Sequence, residues 1–303
     1  MKILITGAWN CGTEQREMIE LLGYDTVFMS DEQGELPCAP EIIEGTICNG
    51  LFLHHSIEKF SSLRYIQLTS AGFDRVPMEY VRSHGIKINN AAGVYSIPMA
   101  EFAVNGVLQI YKQSAFFYKN QKDRVWQKHR GVMELYGKTV CIVGCGNVGT
   151  ECAKRFQAFG CNVIGVDLFT RTDEYYEIIK PLSELDNCLS CADVVILTLP
   201  LTNDTLYLMN SGRFQAMKDG SILVNVARGA IVEETSLSEA LDKKLQGAVL
   251  DVFEEEPLSS NNVLWNKHNV IITPHNSFVG DGNASRLQQV IYKNLTDWIA
   301  GEK

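Results

Sequence analysis

Nothing in these 303 residues approaches the roughly 20 consecutive apolar positions that a membrane span requires, so no bilayer-crossing helix is expected. A secretory core is missing from the start as well: Met1-Lys2 leads into Ile3-Leu4-Ile5-Thr6 and reaches Gly7 before one could form. Dense basic runs are lacking too. The formal net charge is −9, and nucleic-acid surfaces need clustered Lys and Arg. Lys122, Arg124, Lys128 and Arg130 are spread as a solvated helix end would spread them. A disulfide framework is equally absent. The nine cysteines are odd in number and scattered singly through apolar runs, as at Cys48, Cys141 and Cys161, which suits reduced thiols in a reducing compartment. Cys188-x-x-Cys191 has neither a second pair nor a nearby histidine to make it a zinc or redox site. These absences predict a soluble, cytoplasmic chain with no nucleic-acid, membrane or metal partner.

What is present is alternation. Short apolar runs ending in turn residues alternate with helix-length segments from start to finish, the pattern of parallel α/β sheets. At 46% hydrophobic content, 303 residues exceed one comfortable core, so two domains are expected. Strands are predicted at Lys2–Thr6, Thr26–Met29, Thr46–Cys48, Tyr65–Leu68 and Lys87–Asn89, with a helix near Glu14–Leu22, a count that suits a flavodoxin-like layer. From Met99 to about Tyr118 the chain is apolar on more than one helical face, which predicts a long helix buried on several sides. A polar stretch from Lys119 to about Gly131 separates it from a second series. There, six strands are predicted at Val140–Val143, Val163–Val166, Val194–Leu199, Ile222–Asn225, Val249–Asp251 and Val270–Thr273, the number in a dinucleotide-binding sheet. A terminal helix follows over Asn283–Ala300.

Gly144-Cys145-Gly146-Asn147-Val148-Gly149 fits G-x-G-x-x-G directly after an apolar strand and before a helical stretch, Thr150–Phe159. In that setting Gly144 allows the tight turn, Gly146 lets the backbone approach a diphosphate, and Gly149 lets helix and strand close up. The free amides of Asn147 and Val148 would face the anion at the helix start. Asp167 stands eighteen positions after Gly149 at the next strand end, where a carboxylate accepts from ribose hydroxyls and repels the 2′-phosphate of NADP. Arg171 nearby could accommodate that phosphate, so NAD is preferred and NADP is the alternative.

Ligands of open α/β sheets sit beyond the carboxyl ends of the strands. Three successive apolar runs deliver Arg228, then Asp251 and Glu256, then His275 to one such edge. These types suit reduction of a 2-keto acid. Arginine presents a planar fork to a carboxylate, imidazole exchanges a proton near neutrality, and an adjacent carboxylate favours the imidazolium and orients the ring. Asp251 could accept from the nicotinamide carboxamide. His54-His55 reads either as a strand-end turn or as part of a substrate pocket.

At these residues the sequence resembles the D-isomer-specific 2-hydroxyacid dehydrogenase family along nearly the whole chain. The likeness rests on Ser70-Ala71-Gly72-Phe73-Asp74, Pro98-Met99-Ala100-Glu101, Glu134–Val140, the glycine loop with Asp167, Thr198-Leu199-Pro200-Leu201-Thr202, Asn225–Gly229, Leu250–Pro257 and Thr273–Ser277. The resemblance implies a catalytic trio of Arg228, Glu256 and His275, with Glu256 chosen because it directly precedes Pro257. It implies cofactor contacts at Gly144, Gly146, Asn147, Val148, Gly149, Asp167, Pro200, Val226, Ala227 and Asp251. Ser70, Ala71 and Gly72, with Arg228, would bind the substrate carboxylate. It further implies a Rossmann NAD-binding domain (98–273) inserted into a flavodoxin-like substrate domain (1–97 and 274–303), transfer in the cleft between them, and a homodimer through the helix after Pro98. The region after Cys48 lacks the arginine cluster that phosphoglycerate enzymes use, which favours an unphosphorylated 2-keto acid or 2-hydroxy acid. An NADP-dependent glyoxylate or hydroxypyruvate reductase and a dinucleotide-sensing, corepressor-like scaffold are the competing readings.

Overall fold

The computed structural model describes residues Met1–Gly301 and divides into two compact units, Met1–Tyr95 with the stretch from Gly280 onward, and Ser96–Val279. The boundaries differ from those expected. The stretch 274–279 belongs to the second unit because the backbone around His275 is hydrogen-bonded to the end of a strand of that unit.

In the first unit, five parallel strands run β1 (Lys2–Thr6), β2 (Asp25–Met29), β3 (Gly45–Cys48), β4 (Tyr65–Leu68) and β5 (Lys87–Asn89). Their spatial order, β2-β1-β3-β4-β5, is that of flavodoxin-like sheets. The central strands β3 and β4 are buried at every position, as a sheet covered on both faces demands. The helix Asn283–Gly301 returns to this unit and buries Leu287, Ile291, Leu295 and Trp298 against it. Trp298 stacks on Tyr65 with ring centres 4.4 Å apart. Gly45 of β3 lies under that indole, and a Cβ there would come within 3.1 Å of the ring.

The second unit carries seven parallel strands: β6 (Thr139–Val143), β7 (Asn162–Asp167), β8 (Ile178–Pro181), β9 (Val194–Leu197), β10 (Ile222–Asn225), β11 (Gly247–Leu250) and β12 (Val270–Ile272). Their order, β12-β11-β10-β9-β6-β7-β8, is the Rossmann arrangement with one strand added beyond its sixth position. Six strands were expected here. The one missed, β8, is an edge strand with an exposed–buried–half-buried–exposed pattern ending in proline, and so offers no apolar run to read.

The single long helix expected from Met99 is two helices, Ser96–Tyr111 and Ser114–Asp123. The break falls at Gln113, whose φ of 55° is left-handed and ends the helical register. The first helix packs on the sheet so closely that a Cβ on Gly106 would come within 2.6 Å of Val249. Among the described residues no helix is long and apolar enough to cross a membrane.

Candidate active site

Strand order reverses between β6 and β9, and the loops leaving these strands diverge there. Gly144 leaves β6 with φ 97°, and a Cβ on it would come within 2.7 Å of the Leu199 nitrogen. Thr198 ties the two loops by donating its hydroxyl to the Gly144 carbonyl at 2.6 Å. Gly149 is equally constrained, since a Cβ would lie 2.1 Å from the Gly144 oxygen, whereas one on Gly146 would meet nothing within 4 Å. Tight glycines on either side of an open one leave space over the loop. The helix begins at Asn147, and its first hydrogen bond runs from Thr150 N–H to the Gly146 carbonyl at 2.8 Å, so the Asn147 and Val148 amides precede the ladder. A diphosphate fits such a cradle.

Asp167 ends β7 and stabilises the same loop. Its Oδ2 accepts from the Cys145 amide at 2.8 Å and its Oδ1 from the Leu168 amide at 2.7 Å. Arg171 lies over this corner, donating to the Cys145 carbonyl, with its guanidinium 3.7 Å from Asp167. The carbonyl of Pro200 accepts from the Thr205 hydroxyl at 2.8 Å, which closes the turn after β9.

Arg228 leaves β10 on a turn closed by Asn225, whose side chain accepts from the Ala227 amide at 3.1 Å and donates to the Arg228 carbonyl at 3.0 Å. Val226 and Ala227 are buried beneath it. The half-buried Arg228 donates to the Ala227 carbonyl at 2.8 Å. The next residue, Gly229, lies against the Phe253–Glu254 peptide, where a Cβ would fall 1.8 Å from the Phe253 carbonyl carbon. The arginine turn and the loop bearing Glu256 are therefore in direct backbone contact.

Within that loop, Glu256 Oε1 accepts from the Phe253 amide at 3.1 Å, and Oε2 pairs with His275 Nδ1 at 2.8 Å. An ionised carboxylate only accepts, so Nδ1 carries the proton and the other ring nitrogen, Nε2, is left for further chemistry. The two side chains are 43% and 36% exposed, enough for a small molecule to reach them. His275 has φ 50°, a conformation L residues rarely adopt. Asp251, wholly buried, holds it there: its carboxylate accepts from Thr273 Oγ1 at 2.6 Å and from the amides of Asn276 and Ser277 at 2.7 and 2.9 Å. Its own carbonyl accepts from the His275 amide at 2.8 Å.

Sequence reasoning gave Asp251 only a cofactor contact; in the structure its oxygens are engaged by the histidine loop. It also missed a reciprocal clasp under the Glu256 loop, in which the Glu254 and Glu234 carboxylates each accept from the other residue's amide, at 2.9 and 2.8 Å. A separation of twenty positions hides that clasp in the sequence. Gly229 directly after the arginine was a readable sign of close backbone approach.

In the first unit, Ser70 Oγ donates to the Gly72 carbonyl at 3.1 Å, and Asn90 Nδ2 to the Ala71 carbonyl at 2.6 Å. These bonds shape the loop after β4 through the Ala71 and Gly72 carbonyls and do not use the amides of those two residues. His54 ends a short helix, Leu51–His54, rather than a strand-end turn, and His55 caps it with its Nε2 3.0 Å from the Glu32 carbonyl oxygen.

Residues 104–277, more than half of the chain, match the model of the D-isomer specific 2-hydroxyacid dehydrogenase, NAD binding domain. The chain belongs to that family. Its second unit therefore contains a nicotinamide-dinucleotide domain of the D-2-hydroxyacid dehydrogenases. Among relatives, the chain is 36% identical to a D-3-phosphoglycerate dehydrogenase of Archaeoglobus fulgidus over 221 residues, 72% of this chain but 42% of that protein. It is 32% identical to a glyoxylate reductase of Thermofilum pendens over 250 residues, 80% of this chain and 73% of that one. In three dimensions it is similar to a D-isomer specific 2-hydroxyacid dehydrogenase family protein from Aeromonas salmonicida, with TM-score 0.84, 28% identity, and coverage of 99% and 96% of the two chains.

Proposed function

We propose that this dehydrogenase-family chain interconverts a small 2-keto acid and its D-2-hydroxy acid. The observation that carries this reading is the 2.8 Å pair between His275 and Glu256, on the same sheet edge as Arg228 and in the same unit as the glycine loop. A nicotinamide dinucleotide, when bound, supplies or accepts the hydride. Gly144, Gly146, Asn147, Val148 and Gly149 would hold its diphosphate, and Asp167 its ribose. Pro200, Val226, Ala227 and Asp251 border the same edge.

In the direction of reduction, the Arg228 guanidinium binds the substrate carboxylate and draws charge toward the carbonyl oxygen. His275 gives the proton on Nε2 to that oxygen, and in the reverse direction takes it back. Glu256 keeps Nδ1 protonated and the ring oriented, and so acts through His275. In the first unit, the amides of Ala71 and Gly72, in the loop begun by Ser70, are assigned to the substrate carboxylate.

NAD is the cofactor we favour, because the Asp167 carboxylate stands where a 2′-phosphate would be repelled. Arg171 beside it is the observation in favour of NADP. The substrate we favour is unphosphorylated, in line with the name of the Thermofilum relative rather than that of the Archaeoglobus one.

We also infer pairing with a second copy of the chain. Phe117, Tyr118, Val125 and a completely exposed Trp126 crowd the helix Ser114–Asp123 and the segment after it, an apolar patch that a partner would cover. All nine cysteines are free thiols, as suits the cytoplasm.

The test is a panel of 2-keto acids with NADH and NADPH, followed by absorbance, on the purified chain and its His275→Ala and Arg228→Ala variants. The reading expects reduction of at least one 2-keto acid. His275→Ala should lose about 10²–10⁴-fold in kcat while still binding dinucleotide. A chain inactive on every acid, or a variant with undiminished turnover, would refute it. Sedimentation at micromolar concentration tests the dimer, and a monomer would overturn it.

A further inference from the structure

At the carboxyl edge of the first unit's sheet, one carboxylate gathers three strand ends. Glu32, just beyond β2, accepts through Oε1 from the hydroxyl of Thr6, the last residue of β1, and from the Asn49 amide, both at 2.7 Å. Through Oε2 it accepts from the Gly50 amide at 2.6 Å. Asn49 and Gly50 are the first residues beyond β3. Two consecutive backbone amides at such a position form the kind of nest that binds anions in α/β proteins. Here the nest is already filled by an anion of the chain itself.

The neighbouring strand end is the loop assigned to the substrate. β3 pairs in parallel with β4 up to Cys48 beside Leu68, and Thr69 N–H continues the ladder by donating to the Cys48 carbonyl at 2.9 Å. Asn49 and Gly50 therefore lie alongside Thr69 and Ser70, which lead directly into Ala71 and Gly72. The Asn49 side-chain oxygen is buried there without a hydrogen-bond partner, an acceptor suited to a hydroxyl or amide donor and unsuited to an anion.

We propose that Glu32 is a specificity-determining residue that restricts the substrate to 2-keto acids with a single negative charge. By filling the amide nest beside the substrate loop, its carboxylate removes the donors that a second anionic group would use and places a like charge where that group would sit. Glyoxylate, pyruvate and hydroxypyruvate satisfy this condition. A phosphate or second carboxylate on the carbon next to the carbonyl does not. Arg75 passes close by, its Cδ 4.0 Å from the position of a Cβ on Gly50, and is the cation that could act in the opposite sense. The inference rests on the assignment of Ala71 and Gly72 to the substrate carboxylate.

Two matched substrate pairs test it: hydroxypyruvate against 3-phosphohydroxypyruvate, and pyruvate against oxaloacetate. For each, kcat/KM of the more highly charged member is divided by that of the singly charged one. In the unaltered protein the ratio should lie well below one. It should rise at least several-fold between about 0.02 and 0.5 M salt, since screening weakens repulsion. Glu32→Gln and Glu32→Ala should raise it about tenfold or more. Because loss of three hydrogen bonds could unfold the edge, the salt series on the unaltered protein stands as a separate test.

A ratio near or above one, a ratio that falls with salt (attraction by Arg75), or folded Glu32 variants with an unchanged ratio would each overturn the role of Glu32 and leave the dehydrogenase reading standing. Failure to reduce any 2-keto acid would instead defeat that reading, and this inference with it.

Discussion

The buried carboxylate of Asp251 holds His275 in a left-handed conformation by binding the amides of the two residues that follow it, Asn276 and Ser277, at 2.7 and 2.9 Å. The histidine is itself exposed, so its position comes from this hidden support and from Glu256 rather than from packing. Asp251→Asn keeps one acceptor oxygen but turns an NH₂ group toward a buried N–H or hydroxyl. A buried donor left unsatisfied costs about 1–3 kcal/mol. Because misplacement of a reacting group by an ångström can cost on the order of 100-fold in rate, kcat should fall 10- to 100-fold, with KM changed much less. Steady-state kinetics and thermal melting check this. A lowered melting temperature with undiminished kcat would show that Asp251 supports the fold alone.

Gly229 is the contact between the arginine turn and the Glu256 loop. A methyl group there would overlap the Phe253 carbonyl, 1.8 Å away, and backbone has no flexible end with which to yield. Gly229→Ala should therefore separate Arg228 from the Glu256–His275 pair, at a cost of about 2 kcal/mol or more from overpacking. Turnover should drop at least 100-fold in protein that still folds. Full activity would mean that the two loops tolerate a wider spacing.

Much of this was legible because central parallel strands are short, mostly apolar runs bounded by turn residues. β3, β4, β9 and β10 are buried at every position and stood out for that reason. β8 did not, since an edge strand needs only one buried residue in four. The break at Gln113 was hidden because Phe116 and Phe117 continue the apolar series beyond it. That Arg228, Glu256 and His275 follow strands of one sheet edge was read from their places after apolar runs, and the pairing of Glu256 with His275 is seen in the structure. What holds them depends on hydrogen bonds between residues distant in sequence, as in the Glu234–Glu254 clasp and the bonds of Asp251 to the histidine loop. The same distant bonds tie 274–279 to the second unit.

Asp167 meets two amides of the glycine corner, and Arg171 waits beside it. Replacing the carboxylate with a short hydroxyl removes the charge that opposes a 2′-phosphate and leaves the guanidinium to pair with one. Asp167→Ser should raise the NADPH to NADH ratio of kcat/KM on the order of 10- to 100-fold, the scale of a charge-assisted bond exchanged for a repulsion. Kinetics with both cofactors measure it. An unchanged ratio would remove Asp167 from cofactor choice.

Asp193, just before β9, ties the starting ends of three strands. Its carboxylate accepts from Lys218 Nζ at 2.7 Å and from the Thr139 amide at 2.9 Å, and its carbonyl accepts from the Ile222 amide at 3.0 Å. Burial opposes its ionisation, but the bonds from Lys218 and Thr139 outweigh burial and hold the carboxyl below its ordinary value of 3.8. A folded-state pKa lower than the unfolded one means that the unfolded chain binds the proton more readily. The stabilisation is therefore complete above the unfolded value and disappears as pH falls through the folded one. Asp193→Asn should destabilise the second unit by about 2 kcal/mol at pH 7, as expected for a bond to a charged group, or roughly 5 °C in melting temperature. The gap between variant and parent should narrow as pH drops below about 4. Melting curves from pH 7 down to the lowest pH at which the fold persists decide the matter, and a gap independent of pH would show that charge at Asp193 contributes nothing.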